Sequence, residues 1–241
     1  MISLQEAIFQ RTSRRNYLPA PIESAKKSAL VSAIEQCNRE SGLSMQFVEN
    51  GGDAFNGLAK SYGMFSGVRS LIVMKGDKKD VNMEEKIGFM GEHIVLEATR
   101  LHLGTCWVGA SFDKNNPIFD IGEDEKMVCV VPVGNVQPDK TVREKFIRRM
   151  SHGKTKPQEH FYIADAVLPD WFLKAIAAVQ VAPSAVNRQK YKFIFANGAV
   201  EAVSNDTSQF AMIDLGIAKA HFVIAADGKF EWGNHAFYTK P

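Results

Sequence analysis

At 241 residues, with 45% hydrophobic and 23% charged side chains, the chain has a soluble protein's composition and length for one large domain or two small ones. Its net charge of +2 is too small to point to nucleic acid or a membrane surface, and no apolar run reaches the ~18 residues of a membrane span. Three cysteines without a CxxC pair (Cys37, Cys106, Cys129) speak for reduced thiols and a cytoplasmic setting, not a disulfide framework.

Residues 3–10 predict a short helix, with Ser3 as N-cap and Glu6 completing a capping box; its acidic, amphipathic character does not fit a signal peptide. Pro19 and Pro21 punctuate an extended stretch before a helix over 23–40. Strands are expected at 45–48, 70–74 and 127–133, the last two as buried apolar runs. Between them, 84–103 is the strongest helical pattern, with Gly104 as its expected stop. The segment 139–159, rich in Lys and Arg, reads as a basic connector lying across the surface. After it the pattern begins again: 174–179 echoes 32–37, and the helix from Gly216 to Gly228 echoes the one after Gly91. Gly91 to Trp107 and Gly216 to Trp232 have the same spacing, which suggests an internal duplication.

Two segments have the chemistry of a binding site. Arg11, Ser13 and Arg15 alternate, so an extended backbone puts all three on one face. Two guanidiniums and a hydroxyl suit an anionic ligand with several oxygens, although a solvated turn paired with nearby acids has the same spacing. Far along the chain, Ala182-Pro183-Ser184-Ala185-Val186-Asn187-Arg188-Gln189 follows a helix expected over 170–181 and offers short polar groups to a heterocycle or sugar-like chain. An ordinary loop, bonding its own backbone, is the alternative. The six histidines show no metal spacing, there is no Ser/His/Asp order or phosphate-binding Gly loop, and no metal is expected.

Together the segments resemble the nitroreductase family of FMN-dependent oxidoreductases, which carries Arg-x-Ser-x-Arg-x-aromatic (here Arg11, Ser13, Arg15, Tyr17) and Ala-Pro-Ser-x-x-Asn-x-Gln (here Ala182 to Gln189). In the family the second motif follows soon after the first, and obligate homodimers hold each FMN between subunits. Here the first half lacks the second motif and the second half lacks the first. The resemblance thus implies a duplicated chain mimicking the dimer. It would be an α+β pseudo-dimer with central helices and mixed sheets, one half over 1–150, a shorter one over 160–241, and a single surviving site.

It also implies FMN as cofactor and NADH or NADPH as donor. The acceptor would be a small electron-poor molecule, a nitroaromatic or quinone, reduced by ping-pong hydride transfer. A flavin reductase or a non-catalytic flavin-binding protein is the alternative. A monomer acting as pseudo-dimer is expected, with further self-association left open. By the same resemblance Arg11, Lys154 and Lys156 would hold the phosphate, and Thr12, Ser13, Pro183, Ser184, Ala185, Asn187 and Gln189 would surround the ribityl chain and ring. Val108 and Gly109 would offer amide hydrogens at the reactive edge, and Arg15 would face flavin N1 and O2. Gly67 would lie where the chain nears the cofactor. A departure is Lys190-Tyr191 where the family has Pro-Trp.

Overall fold

The computed structural model describes residues 2–55, 64–151 and 156–240, with the backbone alone at 147–151. The first helix, α1 (Leu4–Gln10), starts on the expected reciprocal cap: the Glu6 N–H donates to Ser3 Oγ while the Ser3 N–H donates to Glu6 Oε2. A longer helix, α2 (Ser24–Ser41), leads into a four-stranded antiparallel sheet. Its strands are β1 (Gln46–Val48), β2 (Ser70–Asp77), β3 (Gly104–Thr105) and β4 (Glu125–Gly134), in the order β1-β2-β4-β3. Between β2 and β3 runs α3 (Met83–Arg100). Gly104 does not stop this helix. It ends at Arg100, His102 takes the left-handed conformation (φ 59°), and Gly104 already lies in β3.

The segment expected to be a surface connector forms a helix, α4 (Val142–Ser151), entered through a second capping box. The Glu144 N–H donates to Thr141 Oγ1 and the Thr141 N–H to Glu144 Oε2. The second sheet follows, with β5 (Tyr162–Ala164), β6 (Tyr191–Ala196), β7 (Ala199–Ser204), β8 (Lys229–Phe230) and β9 (Ala236–Thr239) in the order β5-β6-β7-β9-β8. Only the β5–β6 pair is parallel. Two helices accompany it, α5 (Asp170–Gln180) and α6 (Ala211–Ala226). Apart from β5, the second sheet repeats the strand order of the first: β6-β7-β9-β8 against β1-β2-β4-β3.

The centre of the molecule is the crossing of α3 and α6. Every residue of α6 from Ile213 to Phe222 is buried, the signature of a helix surrounded by protein. The axes approach so closely that a methyl on Gly88 would overlap the carbonyl oxygen of Ile213, and one on Gly216 that of Glu85. These contacts are reciprocal, since both pairs (85 with 213, 88 with 216) lie 128 positions apart. At that offset the two helices share Gly88/Gly216, His93/His221, Val95/Val223 and Ala98/Ala226. The helical counterpart of Gly216 is therefore Gly88 and not Gly91, which instead packs against the Trp107 indole. The expected start of the second helix at Gly216 is likewise too late, because α6 begins at Ala211.

Candidate active site

The Arg-rich segment after α1 is sewn into the first half as an extended strip. Ser13 bridges Thr105 and Asn16 bridges Ser66, both in parallel, while the Tyr17 N–H donates to the Ser66 carbonyl at 2.9 Å. Arg11, Ser13 and Arg15 accordingly face one cavity, as their alternation predicts. Arg14, out of phase, points the other way and is 5% exposed. Its Nε donates to Glu144 Oε1 at 3.1 Å, and its two Nη atoms donate to the Gln137 and Asp139 carbonyls at 2.9 and 3.2 Å.

Glu144 ties the strip down. Besides Arg14 it accepts the N–H groups of Arg15, Asn16 and Thr141 at 2.8, 3.2 and 2.9 Å. Burial pushes its carboxyl up, but the Arg15 and Thr141 N–H groups and the Arg14 guanidinium outweigh that and hold it down at about 2.

The second segment closes the same cavity from the other half. Its volume is about 510 Å³, and its walls include Thr12, Pro183, Ser184, Ala185, Asn187 and Gln189. The turn holds itself in an uncommon conformation, with positive φ at Val186 (45°), Asn187 (55°) and Gln189 (46°). Part of its polar inventory is spent on that shape. The Gln189 N–H donates to Ser184 Oγ at 2.9 Å, and Gln189 Nε2 donates to the Gln180 and Ala182 carbonyls at 2.9 and 3.2 Å. Gln189 thus positions the turn. Tyr191, at the place of departure from the family pattern, is buried at the start of β6. The apolar wall comes from Phe210 at the N-cap of α6, from Ile213 and Ile217 within that helix, and from Trp107.

Buried carboxylates support this wall. Glu92 on α3, fully buried, accepts from Trp107 Nε1 at 2.9 Å, lies 3.0 Å from His221 Nε2 and forms an ion pair with Arg11 Nε at 3.6 Å. The other ring nitrogen of His221 lies 2.9 Å from the Ala178 carbonyl, so α1, α3, α5 and α6 meet in one polar knot. Arg11 Nε is buried yet makes no hydrogen bond among the described residues. Asp214 on α6 borders the cavity and accepts the Ala185 N–H with both carboxyl oxygens, at 3.0 and 3.1 Å. Burial pushes its carboxyl up to about 7; the Ala185 N–H and Arg188 oppose that rise and Asp206 adds to it.

Several expectations need correction. The Val108 amide cannot serve a ligand, because it donates to the Val130 carbonyl at 2.9 Å in an isolated bridge. Gly109 does border the cavity, where a methyl group would run into the Phe210 ring. Lys156 is not on the cavity wall: its ammonium donates to the Arg188 carbonyl and lies 3.2 Å from His160 Nε2. Lys154 lies outside the described residues. Gly67 is not on the wall either, and a methyl there would overlap the Tyr17 carbonyl oxygen.

Four participants were missed: Glu92, Glu144, Phe210 and Asp214. Signals existed for three of them. Thr141-x-x-Glu144 is a capping-box spacing, Glu85 and Glu92 sit seven apart on the apolar face of α3, and Asp214 is, with Lys219 and His221, one of three titratable side chains in a mainly apolar helix. Phe210 carried no local signal. Among the described residues no cluster of His, Cys and carboxylates could hold a metal ion.

A mixed α+β fold with central crossed helices and a cavity lined by two distant polar segments is the architecture of the nitroreductase class. The chain belongs to the family described as "Putative TM nitroreductase", whose sequence profile matches residues 3–226. A crystal structure of a "putative nitroreductase" from Thermotoga maritima MSB8 aligns over 98% of this chain and 92% of that chain, with TM-score 0.64 and 21% identity, so the fold is shared over nearly its whole length. Two shorter proteins align with just over half of the chain. One is a nitroreductase with bound FMN from Bacteroides fragilis NCTC 9343 (18% identity, 59% of this chain, 95% of that chain, TM-score 0.44). The other is a "putative NADH oxidase" from Clostridium acetobutylicum (24% identity, 56% of this chain, 89% of that chain, TM-score 0.45). No curated protein sequence matches the chain. Among the described residues no helix is long and apolar enough to cross a membrane.

Proposed function

We propose that the protein is an FMN-dependent oxidoreductase that takes a hydride from NADH or NADPH and reduces a small electron-poor acceptor, a nitroaromatic or quinone, in alternating steps. The observation that carries this reading is the meeting of the two distant polar segments around one cavity of about 510 Å³, a size suited to a cofactor. The residues present fit FMN on one further point. Arg11, Ser13 and Arg15 all border the cavity, and two guanidiniums with a hydroxyl form a donor set that suits a phosphate.

Bound FMN would supply a ring that accepts hydride at N5 and gives it up again. The chain's own residues supply placement and charge. Arg11 and Ser13 would hold the phosphate, with Thr12, Ser184 and Asn187 along the ribityl chain. Ile213, Ile217 and Phe210 would exclude water from the ring. Arg15 would present a fixed cation to the pyrimidine edge, where reduction places negative charge, and it would need no reorganisation to do so. Replacing Arg15 by Ala should slow flavin reduction by NADPH about 10²-fold, measured by stopped-flow absorbance.

The chain is further read as a duplicated unit with one site. Common strand order and the reciprocal glycine crossing support the duplication. At the equivalent place in the other half, Phe89 and Trp232 pack edge to face at 5.5 Å with Lys86 over the indole. The test is the visible spectrum of the purified protein titrated with FMN and then with NADPH under nitrogen. A yellow complex bleached by NADPH and restored by a quinone supports the reading. A protein that stays colourless with added FMN would overturn it.

A further inference from the structure

Asp214 stands apart from the other buried charges of the core. Glu85 pairs with Lys219, and Glu92 with Arg11 and His221. Asp214 is 6% exposed, yet no cation lies within ion-pair distance of it among the described residues. Arg188, a cation that acts on it, pairs with Asp206 instead, at 4.0 Å. Both Asp214 oxygens share one N–H, that of Ala185.

Several other groups act on Asp214 or are acted on by it. From the second half these are Asp206, Arg188 and the Tyr191 hydroxyl; from β4 it is the Cys129 thiol. Arg11, Arg15 and Glu144 border the same cavity, and Glu85 and Glu92 lie on the crossing helix α3. The residue 128 positions earlier, Lys86, has its own counter-ion in Asp80 at 2.7 Å. An acid without a counter-ion therefore occupies only the member of the helix pair that borders the cavity.

We propose that Asp214 carries a proton when FMN fills this cavity, so that flavin binding takes up a proton from solvent and leaves a neutral carboxyl facing the ligand. The inference rests on the flavin reading above. Its physical basis is the removal of water: a ligand that displaces the cavity solvent takes away the hydration on which a carboxylate without a cation depends. The phosphate of FMN adds like charge. The proton moves from bulk water to Asp214, no bond in the ligand changes, and no electrons are transferred. Once neutral, the carboxyl keeps an acceptor for the Ala185 N–H and gains an O–H donor.

The experiment is isothermal calorimetry of FMN binding to the full-length protein at about pH 8, in two buffers with different heats of ionisation, which counts protons exchanged. Wild type should take up about one proton more than Asp214→Asn. Equal counts in the two proteins would overturn the inference while leaving FMN binding intact. Wild type alone offers a second reading should the variant fail to fold: the uptake should vanish by about pH 5.5, where the carboxyl is already protonated. Uptake that persists unchanged there would overturn the inference. Wild type that binds no FMN would overturn the flavin reading and this inference with it.

Discussion

At the scale of single residues, the site is held by acids that the strip of arginines needs. Glu144 is the clearest: 2% exposed, it gathers Arg14 and three backbone N–H groups. Its carboxyl is held at about 2, below the ordinary 4.5, so its contribution to stability is complete above pH 4.5 and is lost as pH falls from there toward 2. Glu144→Ala should therefore cost about 3–5 kcal/mol near neutral pH, because it leaves the buried Arg14 guanidinium unpaired. Urea unfolding across pH would show the gap between variant and wild type narrowing below pH 4.5. A gap that stays constant down to pH 2 would contradict the assignment. The strip itself was legible because alternation places Arg11, Ser13 and Arg15 together whatever lies around them. Its anchor was not, since Glu144 stands in a segment whose many lysines and arginines read as solvent-facing.

At the scale of elements, the crossing of α3 and α6 sets where the cavity wall stands. Gly88 and Gly216 each face backbone of the partner helix, and backbone cannot rotate away as a side chain can. Alanine at either position gains helix propensity, worth up to about 1 kcal/mol, but must force the helices apart. Gly88→Ala and Gly216→Ala should each be net destabilising by roughly 1–3 kcal/mol in thermal or urea unfolding. Both should also weaken FMN binding, because Ile213, Asp214 and Ile217 move with α6. An alanine variant as stable as wild type would show that the crossing is looser than described. The first long helix was legible from its pattern and the second only as an echo of it, starting five residues late; the register between them was not legible. Equal Gly-to-Trp spacing favoured Gly91, whereas the packed helices align Gly88 with Gly216. The strands after them keep the other spacing, with Gly104 of β3 answering Lys229 of β8 at an offset of 125. From the glycine crossing to the strand the second half is three residues shorter, through an earlier helix end and a turn one residue shorter, which a single fixed spacing cannot reveal.

At the scale of the whole molecule, the two halves complement each other. The first contributes Arg11, Ser13 and Arg15, and the second contributes the 182–189 turn and the face of α6 that borders the cavity. The equivalent region on the other side is packed with Phe89, Trp232 and Lys86. A saturating titration should therefore yield one FMN per 26.7 kDa chain by absorbance and protein mass. Two per chain would refute the single-site arrangement. A fragment ending before residue 160 should bind no FMN, because it lacks the 182–189 turn.

Sequence alone determined the Ser3–Glu6 cap of the first helix, the buried strands, the one-sided arginine strip and the pairing of two motifs into one expected site. Each of these depends on local geometry or residue chemistry, which travels with the chain. Tertiary structure decided the rest: that Val108 spends its amide on Val130, that Lys156 turns to Arg188, that Gly88 meets α6, and that Asp214 pairs with no cation among the described residues. Those outcomes depend on which polar groups come within about 3 Å of one another, a distance fixed only when distant segments pack.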